Sequence, residues 1–403
     1  MDSKKKRMTN TGTDAKISET RKLNTKLRLM QLSFFMALAG FMNYLTLYLS
    51  SIGLSEMKIG VFYAIGSGGI VIQQYLFGKL LDKTGRFRLT SSLVMLISGI
   101  AVALMPGLKK LLPLELLLIL LVYSFMKRYG NVFDVWVYGL KHYYPEIEYG
   151  STRALGSFGE GLMGLILGTL ISYGGFTMMF AVTSALLILT FLATVSVPDP
   201  KRRQEARKVV KKLKIRGPLF WYFSSFLVLK TASAVVSIFA PLLLERIGGG
   251  PDMYGRIIFL CAIVEVLVFT YWPRVMKRIG QRFSYIASII FSLLCCLMLS
   301  LASSYTVFII GRVLLSTSFV TYTISHLEYI DLTVDEETKG QAILTLSAIS
   351  SGLGYMVSSF LGGAIMEYGT PLLMAIITGG INVVAFLLHF GAFKKAPEES
   401  DAL

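Results

Sequence analysis

Charged side chains lie inside long apolar runs of this 403-residue sequence, where they could bind a polar solute or a proton. Those deepest in their runs are Lys127, Glu160, Lys230 and Glu265. Each lies about 12–18 Å along a helix from the nearest end of its run. A charge at the centre of a bilayer costs about 2.5–3.5 kcal/mol, so it needs a partner or an aqueous cavity. We therefore expect these four side chains to face the inside of a helical bundle.

Helical spacing places further polar residues on the same faces as two of these charges. The two polar faces, each spaced i, i+4 and i+7, are Lys127–Asn131–Asp134 and Arg153–Ser157–Glu160. Because consecutive spans are antiparallel, Asp134 and Arg153 have matching depths. Lys127 and Glu160 match at a deeper level. We expect both pairs to meet, and the alternative for either is a hydrated cavity wall without direct contact.

A carboxylate in the middle of the membrane is the expected proton-coupling group, and the candidates are Glu160 and Glu265. Desolvation and a nearby cation act on such a carboxylate in opposite directions, so a change of partner can load and release a proton. The expected cations are Lys127 beside Glu160 and Lys230 beside Glu265. The full expected set of substrate-binding residues is Lys127, Asn131, Asp134, Arg153, Ser157, Glu160, Lys230 and Glu265.

The elements that must position these residues are membrane-spanning helices. Apolar residues make up 54% of the chain and charged residues only 16%, against about 25% in soluble proteins. A span needs about 20 mostly apolar residues. Twelve such runs are present, at 27–51, 57–77, 89–107, 112–139, 150–173, 176–198, 218–244, 253–273, 282–303, 305–327, 340–366 and 371–393.

The loops between these runs predict the orientation of the chain. With the N-terminus inside, cytosolic segments hold thirty of the 40 Lys and Arg residues, and external segments hold five. This bias predicts that both termini are cytosolic. It also accounts for the net charge of +16, so we expect no nucleic-acid partner. The three cysteines lie inside apolar runs and indicate neither a disulfide framework nor a metal site.

A basic segment divides the chain into two halves of six spans. The expected parts are a basic tail (1–26), a six-helix bundle (27–198), a cytosolic linker (199–217), a second six-helix bundle (218–394) and a tail (395–403). A degraded repeat relates the halves, since 273–282 follows span 8 as 78–88 follows span 2. Two related halves with a site between them at mid-membrane are typical of transporters.

The loop after span 2 resembles the G-x-L-x-D-R-x-G-R-R loop of the major facilitator superfamily. It reads GKLLDKTGRFR over 78–88, and the residues in register are Gly78, Leu80, Asp82, Lys83, Gly85 and Arg86. The resemblance implies an all-α, twelve-span fold of two six-helix bundles and alternating access. It also implies that Gly78, Asp82, Gly85 and Arg86 act in gating.

Span 5 is similar to that of lactose permease and its relatives, which include oligosaccharide, nucleoside and phenylpropionate proton symporters. The matching segment is EYGSTRALGSFG at 148–159. The resemblance implies that Arg153 binds substrate and that Asp134 is close to its acidic partner. Glu160 stands where lactose permease has a tryptophan that stacks on galactose, so galactoside recognition is not expected. The span 10 His and Glu that couple protons there have no counterpart in Leu314–Ser318.

These observations predict a secondary transporter in the plasma membrane, a monomer that carries a small-molecule substrate with protons across the lipid bilayer. The leading hypothesis is symport of a sugar, nucleoside or organic anion, and the excess of cations in the spans favours an anion. The alternatives are a proton-coupled efflux antiporter of drugs or metabolites, and a non-transporting membrane receptor or assembly partner. No catalytic constellation, nucleotide-binding loop or cofactor motif is present in the sequence, so we expect neither an enzyme nor a cofactor.

Overall fold

The structure is a computed structural model that describes residues 2–141, 143–144, 146–147, 149–200 and 213–393. All regular elements within these ranges are helical. They are α1 (Asp2–Ser51), α2 (Glu56–Thr84), α3 (Phe87–Leu104), α4 (Leu112–Lys141), α5 (Tyr149–Gly174), α6 (Phe176–Val195), α7 (Pro218–Arg246), α8 (Pro251–Ile279), α9 (Gln281–Ser300), α10 (Tyr305–Thr333), α11 (Glu336–Ile349), α12 (Tyr355–Tyr368) and α13 (Pro371–Phe393). Most of the predicted linker and all of the predicted tail 395–403 lie outside the described residues.

Ten of the described helices are long and apolar enough to cross a membrane. The predicted spans 57–77 and 340–366 are helical but are not among these ten. The second of them is interrupted by a π-turn at Ser350–Gly354, which separates α11 from α12. Its sequence, SSGLG, contains two glycines and two serines, which favour a regular α-helix less than alanine or leucine does.

The first of two compact units consists of Met1–Met42 and Ile72–Gln204. In this unit, the ring of Phe34 on α1 packs edge-to-face on Phe133 of α4, with centroids 4.9 Å apart. The Ser184 hydroxyl of α6 donates to the Gly99 carbonyl of α3 at 2.8 Å. Lipid tails do not drive apolar helices together, so such close packing and interhelical hydrogen bonds must hold the unit.

The second unit consists of Asn43–Val71 and Glu205–Leu403. Its helices are joined by the same kinds of contact. The rings of Tyr222 on α7 and Tyr329 on α10 stack with centroids 3.7 Å apart. The Ser318 hydroxyl of α10 donates to the Ser288 carbonyl of α9 at 2.9 Å. The boundary between the units therefore falls within α1 and α2, and residues 43–71 pack with α7 and α12.

Large apolar side chains are exposed on helices of both units. Ile97 on α3, Val266 on α8 and Ile376 on α13 are each at least 60% exposed. Surfaces of this kind suit contact with lipid, where an exposed apolar side chain costs nothing.

Candidate substrate and proton sites

Asp134 on α4 lies at the centre of a polar cluster in the first unit. Its Oδ1 accepts a hydrogen bond from Gln31 Nε2 of α1 at 3.4 Å. The carboxylate also accepts a hydrogen bond from the Tyr149 hydroxyl of α5. Arg153, one turn farther along α5, acts electrostatically on the same carboxylate. Three helices thus converge on one acidic group, and Asp134 and Arg153 lie near each other.

Arg153 is held by neutral partners. Its Nη1 donates to Ser157 Oγ at 3.1 Å, and its Cζ lies 4.1 Å from the centroid of the Phe35 ring of α1. The ring is close to α5 because Gly156 has no side chain, and an added Cβ there would lie 2.6 Å from Phe35 Cδ2. A guanidinium stacked on a ring keeps its edge for a planar anion or a pair of hydroxyls.

The deeper predicted pair in the first unit is Lys127 with Glu160. Lys127 Nζ donates to the Tyr123 hydroxyl, one turn away on α4, at 2.8 Å and lies 5.1 Å from the centroid of that ring. Glu160 is half-buried, and Asn131 between the two levels is exposed. Contact between Lys127 and Glu160 stays a prediction.

Glu265 on α8 is bound by α10. The Ser316 hydroxyl donates to Glu265 Oε1 at 2.8 Å. The cation that acts on this carboxylate is Arg312, one turn before Ser316. The expected pairing of Glu265 with Lys230 stays a prediction. The partners of Glu265 described above thus come from α10, and Tyr322 of α10 both accepts the hydrogen bond from Lys230 and is acted on electrostatically by Glu265.

Lys230 on α7 instead lies among aromatic rings. Its Nζ donates to the Tyr322 hydroxyl of α10 at 2.6 Å. The centroids of three rings lie 4.6–5.9 Å from Nζ, and they belong to Tyr322, Phe319 and Phe226. Aromatic faces stabilise a cation without neutralising it. Lys230 thus contacts one hydroxyl and three aromatic faces.

The predicted gating loop begins inside α2, which continues to Thr84. Gly85 ends this helix with a φ of +65°, a conformation that glycine adopts without strain, and its N–H donates to the Leu81 carbonyl at 2.7 Å. Arg86 follows, and the N–H of Arg88 donates to Asp199 Oδ1 at 2.6 Å. Glycine therefore serves as a helix stop here. Two further predicted gating positions, Gly78 and Asp82, lie in the helical backbone of α2, and the structure does not describe their surroundings.

A group of contacts that the sequence did not indicate joins residues 43–71 to α7 and α12 within the second unit. Arg246 Nη2 donates to Glu56 Oε1 at 2.9 Å and to the Met366 carbonyl at 2.8 Å. The N–H of Met57 donates to Glu367 Oε2 at 2.7 Å. We call these contacts, with the approach of Gly60 to Gly363, the α2–α12 contact.

Sequence reasoning missed the neutral residues that hold the charges. Hydroxyl and amide partners give no signal in hydropathy, and their identity depends on which helix faces which. One signal was present, since Ser316 lies four residues after Arg312 and so shares its helical face. The missed residues are Gln31, Phe35, Tyr123, Tyr149, Ser316 and Tyr322.

A family model described as the MFS_1 like family matches residues 24–374. The chain belongs to this family. It is a multi-pass membrane protein of the major facilitator superfamily, a transporter of small molecules rather than an enzyme. The family confirms the resemblance that the loop at 78–88 indicated. No curated protein matches the sequence.

Solved transporter structures have the same fold. The chain is similar to the nucleoside transporter NupG, with a TM-score of 0.78 and 14% identity over 93% of this chain and 100% of that one. It is also similar to a bacterial homologue of the iron transporter ferroportin, with a TM-score of 0.72 and 13% identity over 93% of this chain and 99% of that one. A D-xylose-proton symporter gives a TM-score of 0.68 and 15% identity over 94% of this chain and 99% of that one. At such identities the likeness establishes the fold alone.

Proposed function

We propose that this transporter is a proton-coupled symporter of a small polar solute, a sugar, nucleoside or organic anion, that works by alternating access. Two similar structures support this class, since one is named a nucleoside transporter and another a D-xylose-proton symporter. We further propose twelve spans, with α2 and the α11–α12 segment added to the ten apolar helices. The chain acts as a monomer in the plasma membrane, with both termini in the cytosol.

The observation that carries this proposal is the Glu265 carboxylate inside α8, bound to the neutral Ser316 hydroxyl. An ionisable residue within a membrane helix is costly and is usually retained for binding or proton transfer. A hydroxyl can donate to the charged carboxylate and accept from the protonated one, so this contact survives a change of protonation. Glu265 is thus suited to carry a proton.

Arg153 is the proposed substrate ligand in the first unit, with Asp134 as its neighbour. Its contacts with Ser157 and Phe35 fix the guanidinium without neutralising it. The six other predicted substrate contacts remain part of the proposal. They are Lys127, Asn131, Ser157, Glu160, Lys230 and Glu265.

Proteoliposomes containing the purified protein test this function. A panel of sugars, nucleosides and carboxylates is first screened by thermal stabilisation, and proton flux driven by each stabilising solute is then measured with a pH dye. Glu265→Gln should abolish accumulation driven by a pH gradient while leaving substrate exchange at equal pH. Glu160→Gln tests the second candidate carboxylate, and Glu328→Gln, at an exposed position on α10, is the matched control.

Each outcome of this experiment has a defined meaning. Proton flux into the vesicle with the solute supports symport, and opposite flux supports the efflux antiporter. Flux that is unchanged in both Glu265→Gln and Glu160→Gln contradicts coupling through these carboxylates.

A further inference from the structure

Two residue pairs with i, i+4 spacing face each other across α8 and α10. Cys261 and Glu265 lie on α8, and Arg312 and Ser316 lie on α10. Ser316 donates to Glu265 at 2.8 Å, and the Cys261 thiol has side-chain hydrogen bonds with Ser316 and Arg312. This four-residue cluster is called the Arg312 cluster below.

The guanidinium of Arg312 has unused hydrogen-bonding capacity. It offers five N–H donors, and the buried Nε has no hydrogen-bond partner among the described residues. The Tyr254 ring lies 5.7 Å from Cζ and contributes a face rather than an acceptor. The neighbouring carboxylate of Glu265 has its hydrogen bond to Ser316 instead. A planar anion such as a carboxylate, sulfonate or phosphate fits the donors that remain.

We propose that Arg312 binds the anionic group of the substrate and that Glu265 carries the coupled proton, so that both ligands occupy one cluster. This inference rests on the proposed symport function and names an organic anion as the substrate class. In this proposal Arg312, rather than Lys230, is the cation that acts on the Glu265 carboxylate during coupling.

The charge balance of the cluster explains why the two ligands bind together. With Glu265 ionised, the cluster is neutral, and an anion on Arg312 adds a net negative charge in an apolar setting. Protonation of Glu265 removes that charge, and the carboxylate no longer competes for the guanidinium. Proton and anion therefore favour each other, and each ligand binds more tightly in the presence of the other.

Other titratable groups approach the cluster from α7, α8, α9 and α10. Cys261 on α8 and Cys295 on α9 face Arg312, as does the phenol of Tyr254. Glu265 also acts on Tyr322, which accepts the hydrogen bond from Lys230 of α7. Thiols and phenols are ordinarily neutral near pH 7, and an amine is ordinarily cationic. Lys230 therefore adds a positive charge that does not depend on Glu265, and the change of charge on protonation is that of Glu265 alone.

Cys261 provides a test that does not depend on knowing the substrate. The full-length protein is treated with methanethiosulfonate reagents that carry a sulfonate or a trimethylammonium group, and peptide mass spectrometry measures modification at each cysteine. Cys295 and Cys296, which are also buried, serve as internal references. The ratio of the anionic to the cationic rate cancels changes in thiol reactivity between samples.

We expect the sulfonate reagent to react faster at Cys261 than the cationic reagent. Glu265→Gln should raise this ratio at least about tenfold, a change of about 1.4 kcal/mol. Arg312→Gln should bring the ratio to about one or below, Arg312→Lys should retain part of the preference, and Glu328→Gln should leave it unchanged. In the unmodified sequence, a pH series that descends from pH 8 should raise the ratio as Glu265→Gln does, so the test remains valid if a variant fails to fold.

The proposal is overturned if Arg312→Gln leaves the ratio unchanged, if neither Glu265→Gln nor low pH raises it, or if only a neutral reagent or none reaches Cys261. Failure of the symport function looks different. In that case the anion preference and its dependence on Glu265 persist, whereas solute-driven proton flux is absent in proteoliposomes.

Discussion

The approach of α2 to α12 at Gly60 and Gly363 gives the sharpest test of the fold. A Cβ added to Gly363 would lie 2.7 Å from the Glu56 carbonyl oxygen and 3.0 Å from Gly60 Cα. A Cβ added to Gly60 would meet the Ser359 carbonyl and lie 3.0 Å from Gly363 Cα. These neighbours are backbone atoms, which cannot move aside as a flexible side chain can.

We therefore predict that Gly60→Ala forces α2 and α12 apart and weakens the α2–α12 contact. Overpacking of this kind costs about 1–3 kcal/mol. That is about a 5- to 150-fold change in the ratio of the described arrangement to one with the contact open. Alanine also favours the helix over glycine by about 0.5–1 kcal/mol, which offsets part of this cost.

Gly68→Ala is the matched control because Gly68 lies on the same helix and an added Cβ there meets nothing within 4 Å. It gains the same helix propensity without the clash. Thr46→Cys serves as the reporter, since Thr46 is 3% exposed and its hydroxyl donates to the Ile238 carbonyl of α7 at 3.0 Å. Maleimide labelling of this cysteine should speed up in Gly60→Ala and not in Gly68→Ala, and the thermal midpoint should fall only in Gly60→Ala.

Gly363→Ala should act in the same direction. The double variant should lose less stability than the sum of the two single losses, because both substitutions disrupt the same contact. If Gly60→Ala and Gly68→Ala label at equal rates and unfold at the same temperature, the close approach of α2 and α12 does not exist in the protein. Additive effects would show that Gly60 and Gly363 act at separate places.

Three further predictions concern the substrate ligand, the gating loop and the acidic partner of α2. Arg153→Lys keeps the charge but loses the planar fork, so thermal stabilisation by the substrate should need at least about tenfold more substrate, and unchanged binding would contradict a ligand role. Asp82→Asn should slow transport in proteoliposomes while equilibrium binding stays the same, and loss of binding at normal expression would refute the gating role. Hydrogen bonds from Ser55 and from the Met57 N–H lower the pKa of Glu367 below its ordinary value. A carboxyl group with a lowered pKa stabilises the fold at pH values above its ordinary pKa, and this stabilisation is lost as the pH falls through the lowered pKa. Glu367→Gln should therefore lower the thermal midpoint at pH 6–8 and have little effect below about pH 4. A difference that does not depend on pH would contradict this explanation.

Much of the architecture follows from the sequence because it is set within single helices. The length of an apolar run determines whether a helix can cross a bilayer, and charge bias in the loops predicts its direction. Spacing along one helix likewise placed Arg153 and Ser157 on one face, and the structure joins them at 3.1 Å. The loop at 78–88 indicated the family through residues that are contiguous in the chain.

Only the tertiary structure decided which helix each charge faces. Glu265 meets Ser316 and Arg312 because of the rotation of α8 against α10, a variable that hydropathy does not encode. Residues 43–71 pack in the second unit because Gly60 and Gly363 permit a close backbone approach, and two glycines 303 positions apart give no sign of this in sequence. Periodicity describes one helix at a time, whereas the partners of a buried charge depend on the packing of several.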